Sequence, residues 1–202
     1  MPQRLANYEI TYATFNMSWI LLLTVQTSLV ASGKLRWHRQ LGILGLVIAP
    51  AMVVLGLLVA TWSLAAHRYP PGFPPFVFFF GQITTVGFAF PLLVFFAFYH
   101  RKDPATHKRL IIIATLSIFD AAITRWPILA ISQSQPITSL VVYSFLLLMV
   151  VYDLVSLQRI QKGTLWGSLF LIVYREVRIP IGGTSAWAAV CYWARSHGII
   201  SF

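Results

Sequence analysis

Acidic residues are the scarcest chemistry in this sequence. Aspartate and glutamate together number five in 202 residues, lysine and arginine fifteen, and charged residues of both signs amount to 10%. Soluble domains carry about 25% charge, so an ordinary water-facing surface is excluded. Cysteine is nearly absent as well. Cys191 alone rules out an intrachain disulfide and a cysteine-based metal site, and it reads as a small apolar packing residue. No nucleophile–base pair, glycine-rich phosphate loop or zinc-ligand spacing occurs, which leaves soluble-type enzyme chemistry without residues to run on. Low-complexity tracts and a separable soluble domain are lacking too.

Apolar residues fill the space left by charge: they make up 58% of the chain, and the mean hydropathy is +0.76. Runs of about 18 or more apolar residues recur, each a membrane-span candidate. Six candidate helices follow, at Tyr12–Ala31, Leu41–Ala66, Pro75–Tyr99, Ala105–Trp126, Ile137–Leu157 and Thr164–Ala194. Their lengths suit the roughly 20 residues needed to cross about 30 Å of hydrocarbon. Short breaker-rich stretches join them: "SGKLRWH", "HRYPPGFPP", "HRKDPAT", "SQSQP" and "QRIQKG". Lipid offers the backbone no hydrogen bonds, so helices that pair their own groups are the spanning solution. The expected fold is all-α, a single integral membrane bundle over residues 1–202. "SLVASG" after the first run imitates a signal-cleavage site, but the basic cluster Lys34, Arg36 and Arg39 follows the run instead of preceding it, so no cleavage is expected.

The net charge of +10 would suggest nucleic acid in a soluble protein. Here the basic residues sit in short loops, where topology and lipid headgroups explain them. No nucleic-acid partner is expected. One face collects Lys34, Arg36, Arg39, Arg101, Lys102, Lys108, Arg109, Arg159 and Lys162; the other holds Arg4, Arg68, Arg125 and Arg195. That asymmetry on short loops places the first face in the cytoplasm, hence a cytoplasmic (inner) membrane protein with both termini outside. Trp37, Trp62, Tyr69, Tyr99, Trp126, Trp166, Tyr192 and Trp193 fall near span ends, as interfacial aromatic belts do.

"HRQL" at 38–41 and "HKRL" at 107–110 share one grammar, a histidine and a basic residue at the cytoplasmic start of a helix. Asp103 and Pro104 form a cap and first-turn pair for the second helix. Cations at a helix N-terminus oppose its dipole, so their placement needs another benefit. With the free backbone N–H groups they form an anion site, most simply for a lipid phosphate. His38, Arg39, His107, Lys108 and Arg109 are the candidates. Alternatively His38 and His107 clamp one haem b, with His100 a third candidate, or handle protons. The residues require no cofactor or metal by themselves.

Ionisable residues inside a bilayer are site candidates by default. Asp120 lies about 15 Å beyond Leu110, and Arg175 and Arg178 about 15 and 20 Å beyond Leu165, at 1.5 Å per residue. These depths are near the midplane and match, so Asp120 is expected to pair with Arg178, with Arg175 the alternative partner. The pair either holds helix register or lines a polar cavity. Pro180, Gly182 and Gly183 beside it predict a kinked final span; the alternative makes Thr164–Tyr174 a separate short interfacial helix.

"VQTSLVASGKLRWHRQLG", "RKDPATHKRLIIIATLSIFDAAITRWP", "VYDLVSLQRI" with "GTLWGSLFLIV", and "VRIPIGGTSAWAAVCYWA" together resemble a family of uncharacterised bacterial multi-pass membrane proteins. The resemblance runs from about Trp19 onward and brings no established activity. Members carry one more N-terminal helix and a histidine shortly before the position of Trp19, where this chain has "TYATFNMSW". Arg178 matches the family's arginine, whereas Arg175 and Glu176 depart from its plain apolar stretch.

The expected function is a non-enzymatic membrane protein binding a lipid or small amphiphile, or an accessory subunit associating with itself or a partner in the membrane. A b-type haem or quinone electron carrier is the alternative. A proton-coupled transporter is a third reading, set back by the lack of an inverted repeat.

Overall fold

Helix is the regular structure throughout the described residues, and a helix pairs its backbone groups within its own segment. The computed structural model describes residues 2–69, 73–123 and 135–200, and no strand occurs among them. Four of its helices are long and apolar enough to cross a membrane: Asn7–Ala31, Leu35–Ala65, Pro75–Tyr99 and Pro136–Leu157. The chain divides into two compact units, Met1–Arg68 with Ala194–Phe202, and Tyr69–Trp193.

The first unit is a hairpin of α1 (Pro2–Ala31) and α2 (Leu35–Ala65). Gly33, at φ +70°, ends α1: Lys34 N–H reaches the Leu29 carbonyl at 2.8 Å and Gly33 N–H the Val30 carbonyl at 3.0 Å. This is the paired closure that a left-handed residue after a helix permits, and glycine takes it without steric cost. The polar hydroxyls of α1 are absorbed locally. Thr11, Thr14, Ser18, Thr24 and Ser28 each donate to the carbonyl four residues back, so these hydroxyls are satisfied within the helix itself. On α2 the buried residues Gly45, Ala49, Met52, Gly56, Ala60 and Ser63 recur every three or four positions, a stripe of mostly small side chains suited to close helix packing. Glu9 pairs with Arg68 at 3.0 Å, and the rings of Tyr8 and Trp62 meet edge to face at 4.1 Å.

The second unit opens with α3 (Pro75–Thr84), which runs through a π turn (Thr85–Ala89) into α4 (Phe90–Tyr99). Pro91 supplies the reason for the π turn: it has no N–H for the Gly87 carbonyl and its ring crowds that group, so the helix widens just before it. Next comes α5 (Pro104–Ser117), capped by Asp103, whose carboxylate accepts from Ala105 and Thr106 N–H. The short α6 (Asp120–Ile123), α7 (Gln135–Leu157) and α8 (Lys162–Gly182) follow in this unit, and α9 (Ser185–Ser196) belongs to it as far as Trp193.

Helix α8 packs against α3, α5 and α7. Its approach to α5 depends on missing side chains. A methyl on Gly163 would lie 3.0 Å from Thr106 Cα, and one on Gly167 would lie 2.7 Å from Ile113 Cδ1. Gly163 and Gly167 are four apart on one face, the small-residue spacing that lets membrane helices touch.

Two expected spans change shape. The fourth, drawn as one helix from Ala105 to Trp126, breaks at Ile118–Phe119, where N–H groups bond three residues back; no proline or glycine marks the spot. Its end, with Arg125 and Trp126, lies outside the described residues, as does the side chain of Arg4. The sixth, drawn as a single kinked helix from Thr164 to Ala194, is two helices. Pro180 stays inside α8, and the chain turns at Gly183–Thr184. Thr184 Oγ1 then accepts from Trp187 N–H at 3.3 Å to start α9. The glycine pair, with little side chain to pack, ends the helix where proline alone did not.

Candidate functional site

The break at Ile118–Phe119 and the regular turn of α8 bring three charged side chains together. Arg175 Nη1 donates to both Asp120 oxygens, at 2.8 and 2.9 Å, and Arg178 Nη2 donates to Asp120 Oδ2 at 2.8 Å. Either partner was an option on depth alone; Asp120 takes both. Arg175 and Arg178 are three residues apart and thus share a face of α8. They stand about 20 and 24 Å along that helix at 1.5 Å per residue, past its middle, so the cluster lies nearer the far end than the midplane estimate.

The guanidiniums have further holders. Arg175 Nη2 reaches Ser139 Oγ at 3.1 Å on α7, with the Tyr143 ring 5.9 Å from its carbon, while its buried Nε has no hydrogen-bond partner. Arg178 Nη1 donates to Thr85 Oγ1 at 3.0 Å, and its carbon lies 5.8 Å from the Tyr174 ring. The Tyr174 hydroxyl sits 2.9 Å from Thr84 Oγ1 and 2.8 Å from Thr85 Oγ1. Thr85 opens the π turn, a distortion often found at functional positions. Tyr143 hydroxyl donates to Glu176 Oε1 on the exposed side. Both arginines are buried, whereas the Asp120 side chain is 25% exposed.

Beside this cluster runs a groove of about 470 Å³ between α3 with its π turn and α8. Phe80, Phe88, Trp166, Leu169, Phe170, Val173, Val177 and Ile181 make its apolar wall, and Thr84, Tyr174 and Arg178 its polar residues. The α8 members recur every three or four residues, so the groove follows the helix for about 22 Å from Trp166 to Ile181. Its volume is within the usual range of roughly 300–1,000 Å³ for small-molecule sites.

At the other end of α8 lies a second charged cluster that sequence reasoning missed. Arg109 donates through Nε to Asp153 Oδ1 at 3.0 Å and Oδ2 at 3.2 Å, and through Nη2 to Oδ1. Asp153 Oδ2 also accepts from Gln161 N–H at 3.1 Å and Thr164 Oγ1 at 2.5 Å. Asp153 thereby holds the first turn of α8 while neutralising Arg109. The signal was present: an acid inside the apolar run "VVYDLVSL" had to find a cation.

Arg109 therefore stands apart from the exposed basic residues of the helix entrances, because its guanidinium is buried and held by Asp153. Lys108 and Arg39 are exposed. His107, half-buried, donates Nδ1–H to the Ala97 carbonyl at 2.8 Å and meets Phe98 edge to face. His38 is half-buried on α2, its Nδ1 without a hydrogen-bond partner. The two histidines belong to different compact units. No group of three or more metal-ligating side chains occurs among the described residues. The chain matches no protein-family model, no curated protein and no solved structure.

Proposed function

We propose that the protein is a non-enzymatic, multi-pass protein of the bacterial cytoplasmic membrane that binds the hydrocarbon chain of a lipid or lipid-like amphiphile along α8. The observation carrying this reading is the groove, apolar for about 22 Å and polar only at Thr84, Tyr174 and Arg178. In a bilayer such a groove is in contact with acyl chains, and a chain seated there meets aromatic faces along its length. The polar end lies close to the end of α8, at the depth where a head group leaves the hydrocarbon.

The membrane reading extends to six crossings: α1, α2, α3 with α4, α5 with α6, α7 and α8. At 21 residues α8 reaches about 32 Å, enough to cross despite its charges, since both arginines turn inward. With 12 residues α9 is too short to span about 30 Å. Its exposed Val190, Tyr192 and Trp193 suit the outer interface. The basic asymmetry of the loops supports termini outside the cytoplasm.

Filling the groove tests the function. Leu169→Trp and Val173→Trp place bulk on its floor, and lipid retained through detergent purification, read by native mass spectrometry, is expected to fall in both. Retention equal to wild type in both variants would refute the reading.

A further inference from the structure

We infer that the groove reads an acidic head group, a carboxylate or phosphate on a single-chain amphiphile, at Arg178, and that Asp120 is the resident counter-ion this anion displaces. The inference rests on the groove being a lipid-chain site and adds the chemistry of its polar end.

Charge accounting carries it. The whole chain has five side-chain carboxylates. Glu9 pairs with Arg68, Asp153 with Arg109, and Asp103 caps α5 from the exposed surface. Glu176 is exposed and accepts the Tyr143 hydroxyl. Asp120 is the one left to neutralise both Arg175 and Arg178. Two buried guanidiniums thus share a single carboxylate in ion pairs, where an uncompensated charge is costly, and no further side-chain acid exists in the sequence to complete the count. An acidic ligand would supply a second anion to this pair.

Geometry says where it would go. Arg175 holds Asp120 by two contacts and Arg178 by one. Exchange at Arg178 therefore breaks one bond and leaves Asp120 on Arg175, giving each cation its own anion. Of the two arginines, Arg178 is the one that lines the groove; the neighbouring hydroxyls are already engaged, Thr84 donating to the Phe80 carbonyl and Tyr174 bonded to the threonine hydroxyls. Asp120 is partly exposed and follows a helix break, so it is the member of the cluster placed to move. A head group at Arg178 sends its chain toward Trp166, about 18 Å away along α8.

Chains brominated near the methyl end, which quench nearby tryptophan fluorescence, provide the test in the purified full chain. The probes are a brominated fatty acid and the fatty alcohol of the same length. The readout is the quenching component lost in Trp166→Phe. The acid is expected to bind at least about tenfold tighter than the alcohol, the scale of a charge-assisted hydrogen bond. Arg178→Gln should bring that ratio toward one, Arg178→Lys should retain most of it, and Asp120→Asn should raise it by removing the competitor. Equal binding of acid and alcohol by wild type overturns the head-group inference and leaves the groove reading standing. Absence of quenching by either probe sinks the groove reading itself. Displacement of the acid by millimolar acetate or inorganic phosphate would assign Arg178 to a free anion and overturn the amphiphile.

Discussion

Removing the charge of Asp153 while keeping its shape, by Asp153→Asn, should be the most damaging polar substitution in the second unit. The carboxylate is fully buried and accepts from Arg109, Gln161 N–H and Thr164 Oγ1, while Arg109 is 4% exposed. The variant leaves that guanidinium charged in an apolar surround and weakens the hold on the first turn of α8. Breaking one side of a buried pair costs about 3–5 kcal/mol. Asp120→Asn should cost less, about 1–3 kcal/mol, because its carboxylate is a quarter exposed and polar groups of the interface can reach the arginines. Replacing both Asp153 and Arg109 by leucine and methionine should recover part of the loss, since no cation remains stranded. Recovery stays incomplete because Gln161 N–H and Thr164 lose their acceptor. Unfolding in mixed micelles with rising dodecyl sulfate, followed by tryptophan fluorescence, measures all of these. Hydrogen bonds between membrane helices average only about 0.6 kcal/mol. A cost of that size for Asp153→Asn, or single costs that simply add in the double variant, would refute the pairing of Asp153 with Arg109 as the source of the stability.

In the same assay, Asp120→Asn with Arg178→Gln should be less damaging than the sum of its single substitutions, because each alone strands a partner; strict additivity would deny the coupling. Gly163→Ala should destabilise by about 1–3 kcal/mol through overpacking on the Thr106 backbone. By contrast Gly81→Ala, with nothing within 4 Å of the added methyl, should be neutral or stabilising by up to about 1 kcal/mol. The hydrogen bond from the Thr106 side chain, then that from its backbone, holds Asp103 below the ordinary carboxylate value of 3.8. Its cap on α5 should therefore be fully present above that value and fade as pH falls through the lower folded value. Amide exchange at Ala105 and Thr106, corrected for intrinsic rates, should accelerate at low pH, and Asp103→Asn should flatten the dependence. Reporter domains fused after Phe202 should be active only as external reporters; activity only as a cytoplasmic reporter would reverse the orientation.

Much of the architecture is legible from residue types because long apolar runs leave few structural choices. Low charge and recurrent apolar runs imply helix, and Asp103–Pro104 and Gly33 mark a start and a stop through backbone chemistry that acts over a few residues. The need of Asp120 for a cation follows from desolvation cost alone. That Asp120 takes both arginines does not. It depends on a break at Ile118–Phe119 that no proline or glycine announces, and on a face of α8 known only once that helix has its neighbours. The widening at Thr85 that offers its hydroxyl to Arg178 could be suspected from Pro91, but its partner is 93 residues away.

Arg109 makes the same point in the other direction. By sequence it belongs with Lys108 in a basic helix entrance, and neighbouring positions on a helix look alike as charges. One step of about 100° around the axis turns Lys108 to the exposed surface and Arg109 inward to Asp153. The sequence by itself therefore determined which groups must be paired, since transfer costs are properties of side chains. Only the tertiary structure decided who pairs with whom, because that is set by helix rotation and by the close approach that Gly163 and Gly167 permit.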